Sequence, residues 1–429
     1  MKKSIAFIIC FLLVVALCLG IASCGPKHSD KTVRIARWAS EWEKPVFEAW
    51  TKEFEKDNPD IEIVWEWNAY NSHFDRLKTD LLGQMAADII FVNNWGWYPY
   101  RDVDMFVDLG QVPELEDVRA SIMPMARDKF VYNNKMIGIP IGLVTRVPIV
   151  NNELFENAEV TIPYDRDTCF NYTEFVNLVK PVMDHKDNTN EIGLNITLTD
   201  LLISMLASVD APMLDTDYNI KLNTPAGIKA VREFQEFVAN SGVVIPYDQS
   251  GGQGKYGSVT DTLLYKSADG RRLCVAGYSN PGNLLTPMDA GISVSAIPMI
   301  KASEGKDTLI GDLNTLVVPT FSKVKDKAYR VIKWLMSKEQ QLKYLEFGDI
   351  PVNTEAYNEV FSNTEKYDPS IYSAYQVGMD NFFFMPSTSS KWQNFTSSYF
   401  KQLCKGQITP EKFCEEIATK GPQYYYDDK

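Results

Sequence analysis

The sequence has few of the residues from which metal and nucleophile sites are built. It contains three histidines among 429 residues, scattered along the chain, which argues against a histidine-built zinc site and against a serine–histidine–aspartate triad. It has no pair of cysteines at CxxC spacing, so neither a metal cluster nor a disulfide framework is indicated. We therefore expect no metal, no cofactor and no catalytic residue in the functional site.

Positive charge is also in deficit. The chain carries 43 lysines and arginines against 56 aspartates and glutamates, which gives a net charge of −13. Nucleic-acid binding needs a basic footprint on the protein, so we expect no nucleic-acid partner. The acidity otherwise favours solubility and indicates no particular function.

The N-terminus has the parts of a secretory signal. Lys2 and Lys3 precede an apolar run at residues 5–19, and Ile21-Ala22-Ser23-Cys24 follows. This last run resembles a bacterial lipobox. The resemblance implies that residues 1–23 are removed and that Cys24 is acylated, which would anchor the protein at the extracytoplasmic face of the cell membrane. A plain signal peptide or a single membrane span is the alternative, but the run is short for a span.

Four cysteines remain beyond the leader: Cys169, Cys274, Cys404 and Cys414. Cys404 and Cys414 flank a predicted turn and leave a disulfide possible. We favour isolated thiols at both positions.

Apolar spacing predicts an α/β sheet at the start of the mature chain. Alternating apolar residues indicate strands, and apolar residues three and four apart indicate helices. The pattern reads strand, helix, strand, helix, strand over residues 32–37, 43–56, 61–67, 72–85 and 88–92. This order at this spacing is typical of a sheet with parallel neighbours.

The residues at the three predicted strand ends suit a carbohydrate. Ligands of such sheets lie at the carboxyl ends of the strands, where tryptophans and tyrosines here stand beside Ser, Glu and Asn. Indole and phenol rings stack on the apolar faces of sugars, and carboxylates and amides bond to their hydroxyls. The alternative is that these aromatics are core residues, which we favour for Trp65 and Trp67 because they lie within a strand.

Several later motifs resemble those of one family. Gly138-Ile139-Pro140 followed by Asn151-Asn152-Glu153-Leu154-Phe155, and then Gly348-Asp349-Ile350-Pro351-Val352, are similar in order and spacing to segments of the extracellular solute-binding proteins of ABC importers. This is a large sugar-binding family of which the maltose-binding protein is a member. The chain departs from that pattern at Val144, which is acidic in the maltose binder, and at Tyr172, which replaces a tryptophan.

The resemblance implies a two-lobed α/β fold of the type II periplasmic-binding-protein-like class. After a tether at residues 24–31, lobe 1 would comprise residues 32–146 and 306–347, and lobe 2 residues 147–305 and 348–429. The chain would cross between the lobes near Thr145, Gly305 and Gly348, and these crossings would form the hinge.

The implied function is that of a monomeric, lipid-anchored binding protein that closes on a carbohydrate and delivers it unchanged to the transmembrane subunits of an ABC permease. Candidate contact residues come from both predicted lobes. They are Trp38, Glu41, Trp42, Asn68, Asn94, Trp95 and Asp312 from lobe 1, and Tyr247, Tyr278, Asn280 and Trp392 from lobe 2.

Three other interpretations stay open on the sequence alone. A secreted glycosidase needs two carboxylates at a set separation, and acidic residues are plentiful, although no catalytic motif is present. A binding protein that serves a sensor or adhesion system would have the same fold. Aromatics with carboxylates would also cage a cationic solute such as a polyamine. The glycine-rich run at residues 250–257 is not a P-loop, and we interpret it as a mobile loop.

Overall fold

A computed structural model describes residues 30–93, 104–186, 192–244, 274–284, 288, 291–386 and 388–425. The strands within these residues form two main sheets and two short pairs. In chain order they are β1 Thr32–Trp38, β2 Glu62–Asn68, β3 Ile89–Asn93, β4 Val131–Tyr132, β5 Lys135–Met136, β6 Ile139–Thr145, β7 Val147–Asn151, β8 Phe170–Asn171, β9 Ile192–Leu194, β10 Cys274–Ser279, β11 Val294–Ala296, β12 Ile300–Lys301, β13 Ile310–Val317, β14 Ile350–Pro351 and β15 Phe383–Phe384.

Helices cover the faces of both sheets. In chain order the α-helices of the described residues are α1 Glu43–Asp57, α2 Tyr70–Leu82, α3 Glu116–Ser121, α4 Pro124–Arg127, α5 Asn152–Asn157, α6 Tyr172–Met183, α7 Leu198–Ser208, α8 Pro225–Asn240, α9 Lys325–Leu335, α10 Lys338–Tyr344, α11 Thr354–Ser362, α12 Pro369–Tyr372, α13 Ser390–Cys404 and α14 Pro410–Lys420.

The parallel pairing that apolar spacing predicts for the first three strands is confirmed. Strand β1 pairs in parallel with both β2 and β3. Helix α1 buries Phe47, Trp50 and Phe54, the apolar stripe that its spacing predicts. Helix α2 begins two residues before the predicted range and ends three before its end, which is the usual uncertainty of helix ends.

The larger sheet has the strand order β14-β6-β13-β3-β1-β2. Strand β13 lies between β6 and β3 and is antiparallel to both. All eight of its residues are buried, as expected for a strand covered on both faces. The sheet thus joins segments that lie more than 200 residues apart in the chain.

The second sheet has the order β11-β7-β10-β9. Strand β6 of the larger sheet ends at Thr145, and strand β7 of the second sheet begins at Val147. Arg146 is therefore the single residue between the two sheets at this crossing. Arg146 therefore lies where the two sheets meet.

The C-terminal fifth of the chain does not belong to one sheet alone. The sequence assigns residues 348–429 to lobe 2, but Ile350–Pro351 pairs with β6 and Phe383–Phe384 pairs with β13 in the larger sheet. Strand β3 stops opposite Asn314, so Ile310 and Gly311 have backbone groups on that side for β15 to pair with. The other lobe bounds stay a prediction.

The last two helices pack against helix α8. Thr409 accepts a hydrogen bond from the Lys412 backbone N–H at 3.2 Å and so caps the start of helix α14. Cys404 and Cys414, at these helices, are both buried free thiols, as we predicted.

In the part of the chain that the structure describes, no helix combines the length and apolar character that a membrane crossing requires.

Two glycines bring the exit of β10 against the turn before β14. A Cβ atom added to Gly282 would lie 2.3 Å from the backbone nitrogen of Gly348. Gly348 itself has a φ of +101°, a conformation that residues with a side chain rarely adopt. The close approach of the two backbones therefore depends on glycine at both positions.

We expect Gly282→Ala to lower the free energy of unfolding by about 1–3 kcal/mol, because the added methyl group collides with backbone that has to move. Urea unfolding followed by circular dichroism measures this. Gly83→Ala is the control, since its Cβ would meet the flexible end of Met85 at 3.0 Å and the Thr79 carbonyl oxygen at 3.2 Å, a much milder contact with backbone than 2.3 Å, and its φ of −78° suits alanine. Equal stability of the two variants would contradict the expectation.

Candidate functional site

A cleft of about 500 Å³ lies where the two sheets meet. This volume is in the usual range of small-molecule sites. The larger sheet contributes residues from the ends of β1 and β3 and from β6 and β13, and Asn280 comes from the exit of β10. The cleft is lined by Arg37, Trp38, Glu43, Tyr70, Asn93, Val144, Arg146, Asn280, Asp312, Asn314, Phe347, Asp349 and Met385.

Trp38, the last residue of β1, is held by one turn of helix α2. Its ring centroid lies 5.5 Å from that of Tyr70, 5.3 Å from that of His73 and 5.5 Å from that of Phe74. The spacing of these three residues puts them on one face of the helix. The Tyr70 hydroxyl is 2.9 Å from Nδ2 of Asn93, at the end of β3. These contacts orient one aromatic wall of the cleft.

His73 links this aromatic wall to strand β3. It is buried, and its Nε2 lies 2.7 Å from the carbonyl oxygen of Phe91, so the neutral ring donates a hydrogen bond there. Burial lowers the pKa of His73, although the bond to Phe91 acts in the opposite direction. The ring is therefore neutral at physiological pH.

Arg37 and Glu43 form a buried ion pair in the cleft wall. Nη1 and Nη2 of Arg37 lie 3.1 and 3.0 Å from Oε1 of Glu43, and the guanidinium carbon lies 4.2 Å from the ring centre of Phe47. The other carboxylate oxygen of Glu43 accepts the Ser40 backbone N–H at 2.6 Å. Because the pair is bonded on both sides, its orientation is set before any ligand arrives.

Asp349 forms part of the floor. Its carboxylate accepts a hydrogen bond of 2.7 Å from Nδ2 of Asn314. It occupies the space left by Gly142, where a Cβ atom would lie 2.5 Å from Oδ2 of Asp349. Burial raises the pKa of Asp349 to about 6, against the opposing effects of Asn314 and Arg37.

Arg146, between the two sheets, faces Asp200 in the first turn of helix α7. Its Nη1 lies 3.7 Å from Oδ2 of Asp200. Burial raises the pKa of Asp200, and Arg146 acts against that shift. The positive charge at the crossing is thus balanced by a carboxylate at the start of helix α7.

The structure brings Trp38, Asn280 and Asp312 of the predicted contact residues together in the cleft. Glu41 is exposed and pairs with Lys44 at 2.5 Å. Trp42 is 56% exposed and stacks on Phe347 with 5.5 Å between ring centroids, so it lies next to a lining residue without lining the cleft.

The other predicted residues lie elsewhere. Asn68 lines a separate small hollow with Glu66, His73 and Arg76. Tyr278 is buried within the second sheet, and burial holds its pKa well above the ordinary value. Trp392 is 4% exposed and packs against Tyr425. The remaining predicted positions fall outside the described residues: Cys24, Asn94, Trp95, Tyr247 and the glycine-rich run at 250–257.

Several cleft residues were not among the predicted contacts. Tyr70 and Asn93 stand at the strand ends that we had identified as ligand-facing, so the signal was present for them. For Asn314 and Asp349 the sequence offers no pattern, because each enters the cleft through pairing between distant segments. Arg37 ends the first predicted strand and Arg146 lies beside the predicted crossing at Thr145, so both positions could have been selected from the sequence. Within the described residues, no group of three or more His, Cys, Asp or Glu is arranged to hold a metal ion.

Comparison with known proteins places this fold among binding proteins. The model of the bacterial extracellular solute-binding protein family matches residues 49–369. The galactooligosaccharide-binding protein of Bacillus subtilis is 21% identical over 365 residues, which cover 81% of each chain.

Solved structures are similar over nearly the whole chain. The sugar-binding protein MalE from Xanthomonas citri has a TM-score of 0.73 at 15% identity, covering 92% of this chain and 97% of that one. An ABC substrate-binding protein of Listeria monocytogenes in complex with cycloalternan has a TM-score of 0.67 at 18% identity, covering 91% and 98%. These likenesses establish a two-lobed periplasmic-binding-protein fold.

The buried position of Trp392 leads to a prediction about stability. We expect Trp392→Ala to lower the free energy of unfolding by about 3–5 kcal/mol, because it leaves a cavity beside Tyr425 and Gly421. Urea unfolding measures the change. Trp42→Ala, which removes a half-exposed ring, is the comparison and should cost much less; similar losses for the two variants would contradict the assignment of Trp392 to the core.

Proposed function

Because the chain belongs to the bacterial extracellular solute-binding protein family, we propose that it binds an oligosaccharide in the cleft and delivers it unchanged to the permease of an ABC importer. The observation that carries the proposal is the composition of the cleft. Trp38, Tyr70 and Phe347 supply aromatic surface, and the polar side chains beside them are carboxylates, amides and two guanidinium groups.

Each kind of group has a counterpart on a sugar. Aromatic rings stack on the apolar face of a pyranose. Asp312 offers an acceptor for hydroxyl hydrogens, while Asn93, Asn280 and Asn314 can both donate and accept. A saccharide carries hydroxyls around an apolar face, and this cleft presents both matching surfaces. The galactooligosaccharide-binding protein and the cycloalternan complex among the similar proteins support the same class of ligand.

Closure of the lobes is the proposed basis of delivery. Asn280 belongs to the second lobe and lines the same cleft as Asp312 of the first, so a ligand that contacts both favours the closed form through its extra contacts. The permease then recognises that closed form. No bond of the sugar changes, and we propose no catalytic role for any residue.

The anchor and the oligomeric state are part of the proposal. The lipobox-like run ending at Cys24 supports acylation there and a position on the extracytoplasmic face of the cell membrane. We propose that the protein acts as a monomer, since one chain supplies both faces of the cleft. Mass spectrometry of the protein extracted from its own membrane tests the acyl modification.

A thermal-shift screen tests the ligand class. The panel consists of maltotriose, cellotriose, xylotriose, raffinose and β-1,4-galactobiose, with spermidine as a cationic comparison. We expect at least one saccharide to raise the melting temperature by several degrees, because a ligand at 100 times its Kd stabilises the native state by about 2.7 kcal/mol. A shift by spermidine alone would replace the carbohydrate proposal with a polyamine one. Release of reducing ends from any saccharide would identify an enzyme instead.

Trp38→Ala should weaken binding of the active saccharide by about 1–3 kcal/mol, because the stacking surface is lost. Isothermal titration calorimetry measures the change. Trp334→Ala is the matched control: its ring packs on Phe54, with 4.8 Å between centroids, and is not part of the cleft lining. An unchanged Kd in the Trp38 variant would remove this residue from the site.

A further inference from the structure

Asp349 stands out in the cleft as an acid in a position that disfavours its charge. It follows Gly348 at the turn into β14, and it is 5% exposed although it lines the cleft. Asn314 donates one hydrogen bond to Oδ2, and the Tyr344 hydroxyl donates another to the carboxylate. A carboxylate has about four acceptor positions on its two oxygens, so the group keeps acceptor capacity toward the cleft.

Charged and titratable groups from three other elements face Asp349. Arg37 comes from β1, Glu43 from the start of α1 and Tyr344 from the end of α10. Arg37 favours the ionised form of Asp349, but its guanidinium is already bonded twice to Glu43. Glu43 repels the charge of Asp349. The surroundings therefore compensate only part of the cost of burying this carboxylate.

The free-energy cost of burying the ionised Asp349 depends on pH. Burial raises the pKa of Asp349 from 3.8 to about 6, so the folded protein holds the proton more tightly than the unfolded chain does. The stabilisation this gives is complete below pH 3.8 and is lost as the pH rises through about 6. At pH 7.5 the fold therefore carries a buried negative charge that a neutral side chain of the same shape would avoid.

We propose that Asp349 is a ligand-binding carboxylate, retained at a cost to stability, whose ionised form accepts hydrogen bonds from saccharide hydroxyls at the floor of the cleft. The proposal rests on the proposed function and assigns one of its determinants of affinity. Two consequences follow. Ligand affinity falls when Asp349 is protonated, and removal of the charge makes the empty protein more stable while it weakens binding.

The test is Asp349→Asn, which keeps the size of the side chain and an oxygen for the Asn314 bond. The probes are maltotriose, cellotriose, xylotriose, raffinose and β-1,4-galactobiose, each titrated calorimetrically at pH 7.5 and 5.0. For the saccharide that binds, we expect Kd at pH 7.5 to rise roughly 10- to 100-fold in the variant, because a hydrogen bond to a charged acceptor is lost. In the same buffer without saccharide, we expect the folding equilibrium constant to rise roughly 10- to 100-fold.

The pH dependence separates this role from a structural one. Wild-type Kd should rise about tenfold from pH 7.5 to pH 5.0, since about one tenth of Asp349 is ionised at the lower pH. The Asp349→Asn variant should lose that tenfold dependence. Asp60→Asn is the control, because Asp60 is an exposed acid paired with Arg330; it should gain no stability at pH 7.5 and should leave Kd unchanged.

Three results would overturn the inference. The first is a variant that binds as tightly as the wild type at pH 7.5. The second is a variant that is less stable than the wild type at that pH, which would make Asp349 a purely structural residue. The third is wild-type protein that binds none of the five saccharides, which overturns the proposed function together with this inference; the first two leave the proposed function standing.

Discussion

The pairing of β13 with both β6 and β3 is the constraint on which the cleft depends. It is an eight-residue strand, fully buried, that returns to the larger sheet after the chain has passed through the second one. Its register sets Asn314 opposite Asn93 and Asp312 opposite Val144. Because successive side chains of a strand alternate between faces, Asp312 and Asn314 share one face, and both line the cleft. A shift of one residue would turn both away from it.

Polar groups around this strand are held before any ligand is bound. Arg37 is bonded to Glu43 and Asp349 to Asn314. Arg146, which lies between the two sheets, faces Asp200 of helix α7. Buried polar groups are costly unless they are bonded, and bonding of this kind also fixes their orientation. The cleft therefore presents its donors and acceptors in set positions. Because these side chains are already ordered, the protein loses less conformational entropy when a ligand binds.

The aromatic wall depends on a different element. A single residue, Ala69, separates strand β2 from helix α2, which brings Tyr70, His73 and Phe74 against the indole of Trp38. The hydrogen bond from His73 to the Phe91 carbonyl ties that helix to the neighbouring strand β3. The apolar and polar sides of the cleft thus rest on the same sheet, although separate parts of the chain build them. Sugar recognition needs both sides, and the sheet keeps them in register with each other.

Sequence patterns were sufficient for the local elements. The 3.6-residue spacing of Phe47, Trp50 and Phe54 placed helix α1, and alternation placed strands β1 and β2, because these signals depend on neighbours a few residues away. The strand-end rule pointed correctly to the edge where Trp38 lies. It also marked Trp42 and Asn68, which stand near the same edge but do not line the cleft.

Contacts between distant segments were decided by the tertiary structure alone. Trp392 carries the same aromatic signal as Trp38, yet it packs under Tyr425 in the core, since which face of a helix is covered depends on what folds onto it. Asp349 reaches Asn314 only because β14 joins the larger sheet beside β6. The sequence by itself determined which segments become strands and helices and to which family the motifs are similar. Which polar side chains meet at the cleft was determined by long-range pairing, whose register no local pattern encodes.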